Sequence, residues 1–140
     1  IKHNIYLIKP FKPALLMKST KLEYIATIIG RKPHFVYKNN QKYFVITTTD
    51  NESRGNIFID PIQEVDDISL QISSSNFPNQ FLIDNTFKQI KNIVGGKKLM
   101  KKSESYFKSR YRNICYILCA LGKLSVHKDG RFIGFKKTSL

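Results

Sequence analysis

A chain of 140 residues, 41% of them apolar, has material for one modest hydrophobic core and so for a single main domain. Its 24 Lys and Arg against 10 Asp and Glu leave a net charge of +14, which points to a polyanionic partner, most simply nucleic acid. No apolar run approaches the roughly 18 to 20 residues that cross a bilayer, which excludes a transmembrane helix.

Residues 1–18 read as an extended basic arm. Lys9, Lys12 and Lys18 alternate with Pro10, Phe11, Pro13 and Leu15, a composition suited to lying across a neighbour or along a phosphate backbone. Residues 19–140 form the domain, and the stretch from Lys21 to Tyr37, KLEYIATIIGRKPHFVY, organises it. Leu22, Tyr24, Ile25, Ile28 and Ile29 recur at spacings of three and four, which predicts a short amphipathic helix ended by Gly30. Pro33 then sends His34 to Tyr37 out as a strand. Phe35 to Tyr37 and Tyr43 to Thr49 flank a tip running from Lys38 to Lys42 with Asn39 and Asn40 in it, a hairpin signal. Asn56 to Asp60 reads as a short strand. After Pro61, Glu64, Asp66 and Asp67 gather with no calcium-loop spacing, and they read as a solvated acidic loop. Ile68, Leu70 and Ile72 alternate with polar residues and predict a half-buried strand. Phe81 to Val94 carries Phe87, Ile90, Ile93 and Val94 at helical spacing, closed by Gly95-Gly96.

The densest charge follows. KKLMKKSESYFKSRYR holds Lys97, Lys98, Lys101, Lys102, Lys108, Arg110 and Arg112. It reads either as a basic ribbon turning at Ser103 to Ser105, or as the start of a helix from Ser103 to Leu121 with Phe107, Tyr111, Ile114, Leu118 and Leu121 as its seam. Along the chain the charge falls in blocks. Residues 1–47 hold nine cations against Glu23, residues 48–87 hold Arg54 against seven acids, and residues 88–140 hold fourteen cations against Glu104 and Asp129. That order reserves one surface for phosphate and leaves the acidic block to face away or to meet a basic protein neighbour. Cys115 and Cys119, four apart in an apolar run, read as buried reduced thiols and imply a reducing compartment, because adjacent helical turns give poor disulfide geometry. Abundant Ile, Lys, Asn, Phe and Tyr with no Trp is what AT-rich coding produces, which points to an organellar or AT-rich microbial source.

Ile25 to Pro33 within YIATIIGRKPHFVY resembles the nine-residue signature of the LAGLIDADG homing endonucleases. There, an apolar helix containing small residues ends in an acidic, glycine-containing turn and runs straight into a strand. The eighth place, a metal-holding carboxylate in that family, is Lys32 here. An ammonium group repels a hard cation, so the resemblance implies a scaffold without cutting chemistry: no catalytic residue, no metal and no cofactor. The order of later segments is similar as well, from Leu22 to Lys137. The resemblance implies an α+β fold, an αββαββα half-domain in which a curved antiparallel sheet packs on helices and its open face straddles nucleic acid. In that arrangement Lys38 and Lys42 lie at a hairpin tip, Lys97, Lys98, Lys101 and Lys102 on one ribbon arm, and Lys108, Arg110 and Arg112 on the other, all meeting phosphate. A lone half-domain leaves Tyr24, Ile25 and Ile28 to be covered by a second copy or a protein neighbour.

These readings lead to a non-catalytic RNA-binding descendant of a homing endonuclease, a structural component of a mitochondrial ribosome or a similar ribonucleoprotein, or an intron maturase. Its partner would be rRNA or another structured RNA, or duplex DNA, and no membrane. One alternative is an active site-specific DNA endonuclease working as a dimer. The other is a winged-helix DNA-binding regulator, with the hairpin around Asp129-Gly130 as its wing. An uninterrupted helix from Ser103 to Leu121 favours the winged helix.

Overall fold

Four successive strands build the first half of the domain: β1 (Glu23–Ile29), β2 (Pro33–Lys38), β3 (Lys42–Thr48) and β4 (Gly55–Pro61). In this computed structural model, which describes residues 22–48, 55–94 and 102–138, they form one antiparallel sheet in the order β1-β2-β3-β4. The turn from β2 to β3 is held by the Asn39 side-chain carbonyl, which accepts from the N–H groups of Gln41 and Lys42, each at 2.8 Å. Both faces of this meander are apolar. Val36, Tyr43 and Val45 join the main core, while Phe35, Tyr37, Phe44 and Ile46 form a separate cluster with Leu22 and Tyr24.

The second half contains α1 (Ile62–Ile72), β5 (Gln80–Phe81), α2 (Ile83–Ile90), α3 (Glu104–Ala120), β6 (Leu124–Asp129) and β7 (Phe132–Lys137). The last strands close a small antiparallel sheet in the order β5-β7-β6. Helix α3 starts at Ser103, whose Oγ accepts from the Tyr106 N–H at 3.2 Å. It ends where Gly122 takes φ 80°, so that the Gly122 and Lys123 N–H groups return to the carbonyls of Cys119 and Leu118. α3 is the central element, packed on α1, α2, β6 and all four strands of the meander. Tyr111, Ile114, Cys115, Ile117 and Leu118 disappear into that packing. No described helix is long and apolar enough to cross a membrane.

The class is α+β with antiparallel sheets and three described helices. The order of described elements, however, is ββββαβααββ and not αββαββα. Three segments account for the difference. Residues 23–29 form a strand where the spacing predicts a helix. A bulge between Tyr24 and Ala26 slips the alternation by one residue, so Ile25 and Ile28 both pack against the main core, three positions apart as on a helix. Tyr24 goes to the opposite face. Tyr24, Ile25 and Ile28 therefore do not form one apolar face awaiting a partner. Residues 62–72, read as an acidic loop and a strand, form α1, which buries Val65, Ile68 and Ile72 and leaves Leu70 74% exposed. Residues 104–112 are helix, not ribbon, because the Ser103 cap and the apolar seam act together. The hairpin over residues 33–48, the strand at residues 55–61 and the hairpin around Asp129-Gly130 stand as the sequence implies, while the helix predicted from Phe81 to Val94 is shorter, Ile83–Ile90, with Phe81 in β5. The arm over residues 1–18 and the cations Lys97, Lys98 and Lys101 lie outside the described residues.

Candidate nucleic-acid interface

On a strand Lys108, Arg110 and Arg112 would share a face. On a helix each step of two residues turns about 200°, so they leave in different directions. Lys108 Nζ lies 3.1 Å from Asp84 Oδ1 and 3.0 Å from Glu104 Oε2. Arg110 turns inward at the junction of β4, α1 and α3. Its Nε donates to Glu64 Oε2 at 2.8 Å, its Nη2 to Glu64 Oε1 at 3.2 Å, and Nη2 stands 2.9 Å from Asp60 Oδ1. Both cations are thus paired with carboxylates of their own chain, and they do not share the single face that a ribbon would give them. Lys38 and Lys42 sit at the β2–β3 tip, and Lys102 is exposed beside the Tyr106 ring. Lys38 is five strand steps from Pro33, roughly 17 Å along β2, so this tip is remote from the β1–β2 turn.

That turn is where the unpaired charge collects. Arg31 and Lys32 from the turn, Arg112 from α3, Asn85 from the start of α2, and Phe132 and Ile133 from β7 line an open cleft of about 570 Å3. Leu82 and Ile83 complete its apolar floor. The one acid in the lining, Asp84, is the residue already held by Lys108. Neither Lys32 nor Arg112 pairs with an acid among the described residues. The Arg31 guanidinium donates to the backbone carbonyl of Arg131 and so fastens the turn to the β6–β7 hairpin. The Arg131 guanidinium in turn sits over the Phe132 ring, 5.5 Å from its centroid.

The wall behind these cations is an aromatic pair. His34 of β2 stacks on Tyr116 of α3, with His34 Nδ1 2.7 Å from Thr47 Oγ1. Gly30 permits the approach, since a Cβ there would stand 2.7 Å from the Tyr116 hydroxyl. Burial, and then the positive charges of Lys32 and Arg112, push the His34 imidazole down to about 4. Burial raises the Tyr116 hydroxyl, while Arg112 and Arg31 pull it back. Arg112 thus acts on both groups of this wall, and His34 is neutral at pH 7.

The inward side of α3 carries the opposite arrangement. Asp60 is fully buried, and burial drives its carboxyl up to about 7 against the pull of Arg110. Arg110 is close enough to pair with it, but its aligned hydrogen bonds go to Glu64, and neither Asp60 oxygen accepts one among the described residues. No three His, Cys, Asp or Glu side chains gather as a metal site among the described residues, and Cys115 and Cys119 are free thiols.

Of the residues assigned to phosphate from sequence, the structure brings Arg112 to Lys32, the residue read as standing in an acid's place. Arg31, His34, Tyr116 and Arg131 were missed. The adjacent cations Arg31-Lys32 in a Gly-to-Pro turn were a legible local signal. The meeting of that turn with Arg112, 80 residues on, depends on α3 packing across β2. No family model, curated protein or solved structure matches the chain.

Proposed function

We propose that this chain is a nucleic-acid-binding module of the winged-helix kind that grips duplex DNA chiefly through its phosphates. The observation that carries the reading is the convergence of Arg31, Lys32 and Arg112 beside the Arg131 hairpin, with the one lining acid neutralised by Lys108. The order α1-β5-α2-α3-β6-β7, the strand order β5-β7-β6 and an unbroken α3 support it, with the β6–β7 hairpin in the place of the wing. Two features set the kind of contact. The run from Arg110 to Leu118 is buried except at Arg112, so α3 offers a groove its first turns and that one side chain, and the α2-to-α3 connection is longer than the tight turn of a helix-turn-helix. Phosphate contacts that do not read bases then dominate affinity. The reading as an RNA-binding ribosomal component draws on the same charge. The homing-endonuclease ancestry draws on the letters of residues 25–33, which here form the end of a strand and a turn.

Fluorescence anisotropy with short duplex DNA, duplex RNA and a structured RNA, titrated between about 50 and 200 mM salt, tests this. Duplex DNA is expected to bind with a log-log salt slope that Lys32→Ala and Arg112→Ala each reduce by about 0.9. Binding to structured RNA alone would replace the proposal with the ribonucleoprotein reading. Wild-type slopes in both variants would remove the cleft from the interface.

A further inference from the structure

The open cleft, lined from the β1–β2 turn, α2, α3 and β7, has room for one nucleotide unit at the end of a strand. At about 570 Å3 the cleft lies in the size range of small-ligand sites. Its walls are divided, with Lys32 and Arg112 on a cationic side and Leu82, Phe132 and Ile133 on an apolar side. Phe132 remains 53% exposed with the Arg131 guanidinium over one face of its ring, which leaves the opposite face for a base. Charge favours one end of a strand over its middle. A phosphodiester carries one negative charge, whereas a phosphomonoester carries about −1.5 to −2 at neutral pH and offers three strong acceptor oxygens. Lys32 and Arg112 without acidic partners, next to Arg31 and with Asp84 turned to Lys108, match the dianion more closely.

We propose that this cleft is a terminal-phosphate site, in which Lys32 and Arg112 hold the phosphomonoester of one nucleotide unit and Phe132 receives its base. The inference rests on the nucleic-acid reading above and sharpens it. The same chemistry arrives from two sources, a free nucleoside monophosphate or the phosphorylated end of a strand, and the experiment separates them.

The full chain is titrated with duplexes that differ only in a phosphate or a hydroxyl at the 5′ or the 3′ end, with a covalently closed circular duplex, and with adenosine 5′-monophosphate against adenosine. A phosphorylated end is expected to bind at least about tenfold more tightly than a hydroxyl end, a difference of about 1.4 kcal/mol. Lys32→Ala and Arg112→Gln are expected to bring that ratio close to one, while Lys42→Ala at the remote hairpin tip leaves it unchanged. Circular dichroism reports whether each variant is folded, and Lys32 is an exposed turn residue whose loss leaves the core intact. Competition by the free nucleotide assigns that source, and preference for an end without such competition assigns the strand. Equal affinity for both ends together with no competition would overturn the inference, and salt-dependent duplex binding in that case leaves the module reading standing. An end preference with no binding to the closed circle would sink the duplex-gripping reading instead.

Discussion

His34 lies flat on Tyr116, with ring centroids 3.9 Å apart and planes 16° from parallel. One ring belongs to the meander and the other to α3, so the stack presses the two halves of the domain together at the back of the cationic cleft. A methyl group on Gly30 would force the Tyr116 hydroxyl aside. Gly30→Ala is therefore expected to cost about 1–3 kcal/mol, as overpacking does, and to weaken duplex binding by loosening the wall beneath Arg112. Urea unfolding measures the first effect and anisotropy the second; an unchanged unfolding midpoint would mean that the stack yields freely.

Charge in the cleft is expected to act in both directions. Asp84 is the one carboxylate in its lining, so Asp84→Asn is expected to tighten duplex binding, on the order of twofold to tenfold at low salt, and the gain should fade as salt screens it. Arg112→Ala is expected to weaken binding over the same range. If Asp84→Asn weakens binding too, the ion pair with Lys108 matters for shape more than for charge, and the electrostatic account of the cleft fails.

What was legible in the sequence was what neighbouring residues decide among themselves. The Asn39 turn, the Ser103 cap and the Gly122 closure are local devices: the first bounds a hairpin that stands where its letters place it, while Ser103 reads equally as a ribbon turn and as the helix start it is. β1 was misread because a bulge gave a strand the three-residue spacing of a helix, and EYIATII, apolar except at Glu23 and Thr27, fits either period. α1 was misread because the exposed Leu70 completes a false alternation with Ile68 and Ile72, while the true face, Val65, Ile68 and Ile72, is a helical one. Part of the site was legible, since Arg112 and the turn cations could be picked out by type. The commitment of Lys108 and Arg110 was not, because the acids that hold them, Asp84, Asp60 and Glu64, come from distant elements that only the packing of α3 brings near.

Arg110 is the counter-charge for two carboxylates inside the domain. Replacing it with methionine would leave the fully buried Asp60 and the largely buried Glu64 without their cation. Arg110→Met is expected to cost about 3–5 kcal/mol, the usual result of removing one partner from a buried ion pair. Arg110→Met combined with Asp60→Asn and Glu64→Gln should recover much of that loss. Chemical denaturation of both proteins checks it, and a triple variant no more stable than the single one would show that the guanidinium packs more than it pairs.

Asp60 and His34 are expected to oppose each other in the response of stability to pH. The Asp60 carboxyl rises from 3.8 to about 7 on folding, so between those values the folded chain holds the extra proton and stability falls as pH rises. The His34 imidazole drops from 6.5 to about 4 on folding, so between those values the unfolded chain holds the extra proton and stability falls as pH drops. Each shift amounts to an upper bound of about 3–4 kcal/mol, and across their shared window the two trends largely cancel in the wild type. Removing one should expose the other. Relative to wild type, His34→Gln should lose stability progressively from about pH 4 to about pH 7, on top of a pH-independent loss from the broken stack. Asp60→Asn should gain over the same interval. Urea unfolding of the three proteins across that range gives the two difference curves, and slopes of the same sign would contradict the assignment of a protonatable Asp60 and a neutral His34 to opposite sides of α3.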